Sequence, residues 1–262
     1  MPEDSAPLNL SQLLAGKTVV VTGASSGIGH AIALAVGAAG ANIAVTYYKS
    51  RDAAEAVAAE VRATGRDAVA FQADVAVGAD LERLTQQVRR SFGRVDAWIN
   101  NAGADILTGP GAKLSRLEKL DLLLAVDLRG TMLASWAAAG LLRDQPSGGT
   151  IINMSWDGVL RGLGGENPEL FSAVKGGVSG FSRSLARSLA PGIRVNVLGP
   201  GWIETAFGET APSGFKERVA RQIPLGRWGT PEDVAGAAVY LCSDLASYVT
   251  GQMILVNGGD IM

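Results

Sequence analysis

Short, almost continuously apolar runs alternate with longer Ala- and Leu-rich stretches along the whole chain. The runs at residues 18–21, 42–46, 68–71, 95–99, 150–153, 193–197 and 253–256 read as strands, and their lack of polar alternation marks them as buried on both faces. Between them, helical stretches are predicted at about 28–39, 53–63, 81–92, 117–142, 170–189 and 231–241. This alternation predicts a doubly wound, Rossmann-type α/β fold, with a seven-stranded parallel sheet and helices on both faces. No linker, low-complexity tract or repeat interrupts it, so residues 1–262 are expected to form one domain, with 1–15 as an N-terminal extension. Ligands of such sheets bind beyond the carboxyl ends of the strands, so the residues after each strand are those to read for chemistry.

Composition narrows the possibilities. Apolar residues make up 47% of the 262 and charged ones 18%, enough to bury a sizeable core. A net charge of −2 leaves no electrostatic footprint for nucleic acid or an anionic membrane. Cys242 and His30 are each the sole residue of their type, which argues against a disulfide framework, a Cys/His metal site and a Ser-His-Asp triad, so no metal is expected. Met1 to Ser11 are polar and acidic rather than basic and apolar, and no run of about 20 apolar residues occurs. A soluble, cytoplasmic protein acting on a small molecule is the expectation.

The first strand leads into Thr22-Gly23-Ala24-Ser25-Ser26-Gly27-Ile28-Gly29. Glycines let the backbone approach a pyrophosphate, and the helix that follows offers free N–H groups and the positive end of its dipole. The G-x-x-x-G-x-G spacing departs from the general dinucleotide fingerprint, and by itself the loop also reads as an ordinary glycine-rich turn. Further segments stand after the other strands: Asp74-Val75, Asn100-Asn101-Ala102-Gly103, Pro200-Gly201-Trp202-Ile203-Glu204-Thr205 and Val249-Thr250-Gly251-Gln252. In this order the set resembles the short-chain dehydrogenase/reductase family over residues 17–259.

The resemblance implies a nicotinamide cofactor. Gly23, Ser25, Ser26, Gly27, Ile28 and Gly29 would line the diphosphate and the adenosine ribose, and Asp74 and Val75 would flank the adenine. Asn101, Ala102 and Gly103 would meet the central ribose, and Pro200, Gly201, Ile203 and Thr205 the nicotinamide. The second strand ends Thr46-Tyr47-Tyr48-Lys49-Ser50-Arg51, with no acid before Asp52 to bind a ribose 2′-hydroxyl and repel a 2′-phosphate. Tyr48 and Lys49 are the candidate cofactor residues there. Lys49 and Arg51 read either as partners of a 2′-phosphate or as solvated surface cations, and NADP(H) is favoured over NAD(H).

At the reacting end the chain departs from the family's pattern. Members usually carry Tyr-x-x-x-Lys, a serine upstream and an asparagine in the preceding long helix. Here the pair reads Phe171-Ser172-Ala173-Val174-Lys175, Trp156 follows Ser155 at the second-serine position, and Asp127 stands for the asparagine. A phenyl ring cannot move a proton, and positioned proton transfer is worth about 10²–10⁴-fold. Ser172 sits roughly 100° around the helix and cannot act from the same place. The catalytic candidates are Lys175, Ser155, Asp127, Asp157 and the Phe171 position.

Reducing a ketone makes an alkoxide and needs an acid, whereas reducing a preformed iminium makes a neutral amine and needs none. Carboxylates such as Asp127, Asp157 and Glu166, and aromatic faces such as Trp156, Trp202 and Phe171, would stabilise the cation. An NADP(H)-dependent oxidoreductase with a non-standard active site is therefore the leading expectation, its substrate an imine, an iminium ion or another carbonyl-like small molecule. A non-redox isomerase, lyase or cyclase on the same scaffold, with an acid such as Asp157 as base, and an inactive cofactor-binding protein remain open. Residues 204–224, with Gly208, Pro212, Gly214, Pro224, Phe207 and Phe215, occupy the place of the family's substrate lid or form an ordinary surface excursion. The resemblance further implies a homo-oligomer, tetramer or dimer, packed through the long central helices and the last strand.

Overall fold

The strands predicted from the apolar runs all form, and they lie in one parallel sheet in the order β3-β2-β1-β4-β5-β6-β7. The computed structural model describes residues 12–210 and 214–262. The polar segment Met1 to Ser11 and Pro212 of the predicted lid fall outside the described residues. The strands are β1 (Thr18–Val21), β2 (Asn42–Tyr47), β3 (Ala68–Gln72), β4 (Ala97–Asn100), β5 (Gly149–Met154), β6 (Ile193–Pro200) and β7 (Met253–Val256). The helices are α1 (Gly27–Ala38), α2 (Arg51–Ala63), α3 (Gly78–Phe92), α4 (Arg116–Leu123), α5 (Thr131–Arg143), α6 (Glu166–Leu189), α7 (Ala206–Thr210), α8 (Phe215–Ala220) and α9 (Pro231–Cys242). The strand order reverses between β1 and β4, which opens the ligand crevice beyond Val21 and Asn100.

Each face of the sheet buries its own apolar layer. Val19, Val21, Ile43, Val45 and Ile99 pack with α1, α2 and α9, while Val20, Ala44, Trp98, Ile151 and Val195 pack with α3, α5 and α6. Full burial of such side chains contributes about 1.5–3 kcal/mol each, which is why the β-branched runs are strands whatever their neighbours. Helix starts follow local chemistry. Ser115 and Glu118 form a capping box at α4, and Thr230 with Asp233 forms another at α9, where Pro231 occupies the first turn.

The long helix differs from its expected form. It runs 28 residues from Arg116 to Arg143, and between α4 and α5 a π-helical segment, Leu124–Gly130, interrupts the α-helical ladder. By length and composition it could cross a membrane, yet Leu123, Ala134, Ala138 and Leu142 are buried within the domain. The π turn places Asp127 at 2% exposure, and such turns are frequent at functional sites. The predicted lid is not an unstructured excursion either, since it carries the short helices α7 and α8.

Candidate active site

The cofactor end is cut to admit backbone and little else. Gly23 and Gly27 have φ of +62° and +55°, and a Cβ on Gly29 would collide with the Gly23 carbonyl and Asn101 Nδ2. Ser26 caps α1 with no side-chain hydrogen bond, so the first-turn amides keep no side-chain competitor for an anion. These are the properties a diphosphate requires, and the residues present fit one.

Thr22 and Asn101 hold this loop against the end of β4. Thr22 Oγ1 accepts from the backbone N–H of Asn101 and of Ala102, both at 3.0 Å. Asn101 Nδ2 donates to the carbonyls of Thr22 and Gly23 at 3.0 and 3.1 Å, so its side chain braces the loop. Asp74 Oδ1 accepts from Ala76 N at 2.9 Å and shapes the turn after β3, with Val75 buried beside it. At the end of β2, Tyr48 is exposed and Lys49 Nζ lies 4.9 Å from its ring centroid. Asp52 lies in the first turn of α2.

At the other end of the crevice the structure brings Asp127 and Lys175 together. Lys175 Nζ lies 2.8 Å from Asp127 Oδ2, and Asp127 Oδ1 accepts from Ala104 N at 2.8 Å. Both ends of this ion pair are largely buried. The carboxylate also abuts Gly103, where a Cβ would stand 3.0 Å from Oδ2. The acid in place of an asparagine therefore ties the lysine of α6 directly to the turn after β4.

Trp156 and Phe171 meet each other. Their ring centroids are 6.3 Å apart at 62°, an edge-to-face pair. The indole lies across Gly158, where a Cβ would collide with it, so this tryptophan and that glycine come as a set. Ser155 is placed differently from its expected role. Its hydroxyl donates to the Lys175 carbonyl at 2.9 Å and lies 2.9 Å from Ser179 Oγ, so it serves the β5–α6 contact. Ser172 Oγ is buried with no hydrogen-bond partner among the described residues.

Asp157 is buried at 3% exposure, next to Gly201 and to the turn after β7. Asn257 Nδ2 donates to Asp157 Oδ2 at 3.1 Å and to the Ile261 carbonyl at 2.9 Å. Burial pushes the Asp157 carboxyl above the usual carboxylate range; the Asn257 hydrogen bond opposes this, and the nearby Asp260 raises it further. Glu166 is exposed at the start of α6, apart from this buried group.

The sequence assigns no individual role to several residues that the structure brings together. Asn100, Asn153, Ser135 and Ser182 form a buried network under the site: Asn100 Nδ2 donates to Asn153 Oδ1 at 2.8 Å, and Asn153 Nδ2 to Ser182 Oγ at 2.8 Å. Asparagines inside two apolar strands were the available signal. Asn257 and Trp228 had none, being single residues in glycine-containing turns.

Known proteins resemble this arrangement over most of its length. Residues 23–260 match the family model described as enoyl-(acyl carrier protein) reductase. A 3-oxoacyl-[acyl-carrier-protein] reductase FabG of Staphylococcus aureus is 38% identical over 248 residues, 94% of this chain and 98% of the relative. An L-rhamnose 1-dehydrogenase (NAD(P)(+)) of a Sphingomonas species is 38% identical over 255 residues, 95% and 97% of the two chains. A short-chain dehydrogenase of Burkholderia cenocepacia, solved in complex with NADP, superposes with a TM-score of 0.83 at 34% identity, covering 94% and 98%.

Proposed function

The chain belongs to the short-chain dehydrogenase/reductase family of oxidoreductases, and we propose that it is an NADP(H)-dependent reductase of iminium ions, preformed or made by protonation of an imine in water. The observation that carries this reading is the edge-to-face Trp156–Phe171 ring pair near the Lys175–Asp127 ion pair, at positions that the resemblance reads as those of the family's second serine and tyrosine. Gly23 to Gly29, with Asn101 bracing the loop, would hold the diphosphate. Lys49 and Arg51, with no acid at the end of β2, favour a 2′-phosphate. One relative is named for NAD(P)(+) and one similar structure was solved with NADP, which supports NADP(H) binding without separating it from NAD(H). When bound, NADPH supplies a hydride.

The chain's own groups suit a cation. An iminium carbon becomes an amine carbon on accepting hydride and asks the protein for no proton, while a carbonyl becomes an alkoxide. Aromatic faces favour the first. Lys175, neutralised by Asp127 at 2.8 Å, adds little net positive field to repel such a substrate. The 3-oxoacyl and L-rhamnose substrates named for the relatives are not carried over, because the proton-moving tyrosine is absent here.

NADPH oxidation with panels of cyclic iminium ions and of ketones tests this reading. Turnover of the iminium panel with little of the ketones is expected, and brisk ketone turnover with inert iminium ions would overturn it. Asp157 supports a second reading: a buried carboxyl raised above the usual range suits a general base. Product without net NADPH consumption would favour that non-redox course. We also propose a homo-oligomer, supported by exposed Leu117, Leu124 and Trp136 on the long helix and exposed Tyr240, Leu245 and Tyr248 near the last strand.

A further inference from the structure

Residues 257–262, which follow β7, are tied twice to the turn that follows Trp156. Asn257 Nδ2 donates to Asp157 Oδ2 at 3.1 Å and to the Ile261 carbonyl at 2.9 Å, while Asn257 Oδ1 accepts from Gly259 N at 3.1 Å. Arg161 supplies the second tie, its guanidinium lying 3.4 Å from both the carboxylate and the carbonyl oxygen of Asp260. Asp157 opens the short 3₁₀ turn Asp157–Leu160 and Arg161 ends it. Asp157 and Asn257 also close on Gly201 from two sides, since a Cβ there would stand 2.7 Å from Asn257 Cβ and 3.0 Å from Asp157 Oδ2. Gly201 N in turn donates to the Val256 carbonyl at 3.0 Å. The segments after β5, β6 and β7 thus share one polar joint.

Charge at this joint is out of balance. Among the described residues, the groups that face the Asp157 carboxyl are the Asn257 amide, the Gly158 N–H, the Asp260 carboxylate and the Arg161 guanidinium. Asp157 is 3% exposed and the Asp260 side chain is buried, whereas Arg161 is half exposed and already turned to Asp260. An ionised Asp157 therefore adds a second buried negative charge beside a single cation that stands partly in water. Burial is the largest effect and pushes the Asp157 carboxyl above the usual range; the Asn257 hydrogen bond opposes it and Asp260 reinforces it. A merely structural turn accounts for the hydrogen bonds and leaves the placing of two acids on one joint unexplained.

We propose that this joint is a proton-operated latch: with Asp157 neutral, residues 257–262 stay seated on the 157–161 turn, and loss of that proton releases them. The closed joint holds the proton more tightly than an open one, in which water reaches both carboxyls. By linkage, the stability of the closed joint is full at low pH and is lost as the pH rises through the closed-state value. Opening parts Asn257 from Asp157 and uncovers Gly201, so the segment proposed to face the nicotinamide loosens with it. The inference concerns this movement alone and holds for a redox or a non-redox course.

Hydrogen–deuterium exchange of the whole protein, read by peptide mass spectrometry from about pH 4.5 to about pH 8.5, tests it. Protection factors, which divide out the intrinsic pH dependence of exchange, are compared for peptides containing residues 258–262 and Gly201. Both are expected to lose protection about tenfold over this range with one midpoint, while β5 keeps its own. Asp157→Asn retains an acceptor for Asn257 but cannot ionise, and its protection is expected to stay constant with pH. Asp260→Asn removes the opposing charge and is expected to cut the fall to about threefold. Constant protection in the unaltered protein, a fall that survives Asp157→Asn, one undiminished by Asp260→Asn, or a Gly201 peptide that does not follow residues 258–262 overturns the proposal.

Discussion

The two ends of the crevice rest on the same sheet, yet they hold their polar groups in different ways. At the phosphate end, Gly23, Gly27 and Gly29 strip side chains away, and Thr22 with Asn101 fixes the loop by hydrogen bonds to backbone. At the reacting end, side chains fill the space: Trp156 and Phe171 meet edge to face, Asp127 engages Lys175, and the Ser155 hydroxyl bonds the Lys175 carbonyl. Backbone amides at a helix start are what a diphosphate needs. Chemistry is carried by a few side chains, which change without disturbing the fold.

That contrast can be broken at either end, and the largest effect is expected at the first. Gly29→Ala puts a methyl group into the Gly23 carbonyl and Asn101, and NADPH affinity is expected to fall at least about 100-fold by titration calorimetry. An unchanged affinity would mean that the loop does not hold the diphosphate. Lys175→Met leaves the Asp127 carboxylate buried without its cation and is expected to cost about 3–5 kcal/mol in urea unfolding. A loss under about 1 kcal/mol would show that surface-like solvation reaches this pair.

Asp157→Asn probes a smaller quantity with a definite sign. The folded carboxyl is raised above its unfolded value, so its favourable share of stability is present at low pH and is lost as pH rises through the folded value. The variant is therefore expected to melt about 2–4 °C higher than the unaltered protein at pH 7, with the gap closing toward pH 4. A gap that widens on acidification contradicts the burial argument. Smallest of all is the expected effect of a thiol reagent: burial pushes Cys242 up to about 12, so native protein at pH 8 should resist iodoacetamide and react only on unfolding.

Much of this fold was legible because apolar burial writes itself into composition. The seven runs matched the strands, although β6 extends to Pro200 and α6 begins at Glu166, beyond the expected bounds. Where a boundary rests on tertiary contacts, local pattern stops informing. The π turn at Leu124–Gly130 carries Asp127, and nothing in its periodicity announces it. The site was legible as a set of positions and not as a set of contacts. Phe171, Trp156 and Asp127 stood out as departures, but their pairing depends on residues brought together from β5, α6 and the long helix. Ser155 shows the limit most plainly, since its hydroxyl direction is decided by the Lys175 carbonyl on another element.

The proposed iminium reduction reads Trp156 and Phe171 as standing at the positions of two hydroxyls in the family's pattern, so that no proton donor faces the substrate. The most direct measurement is the ratio of kcat/KM for a cyclic iminium ion to that for a ketone of matched size, in the unaltered protein and in Trp156→Ser/Phe171→Tyr. The double change restores both hydroxyl-bearing side chains while Lys175 stays in place. The ratio is expected to fall by about 100-fold, chiefly through a gain in ketone reduction, as returning positioned proton transfer requires. An unchanged ratio, or an unaltered protein that already prefers the ketone, would contradict the claim.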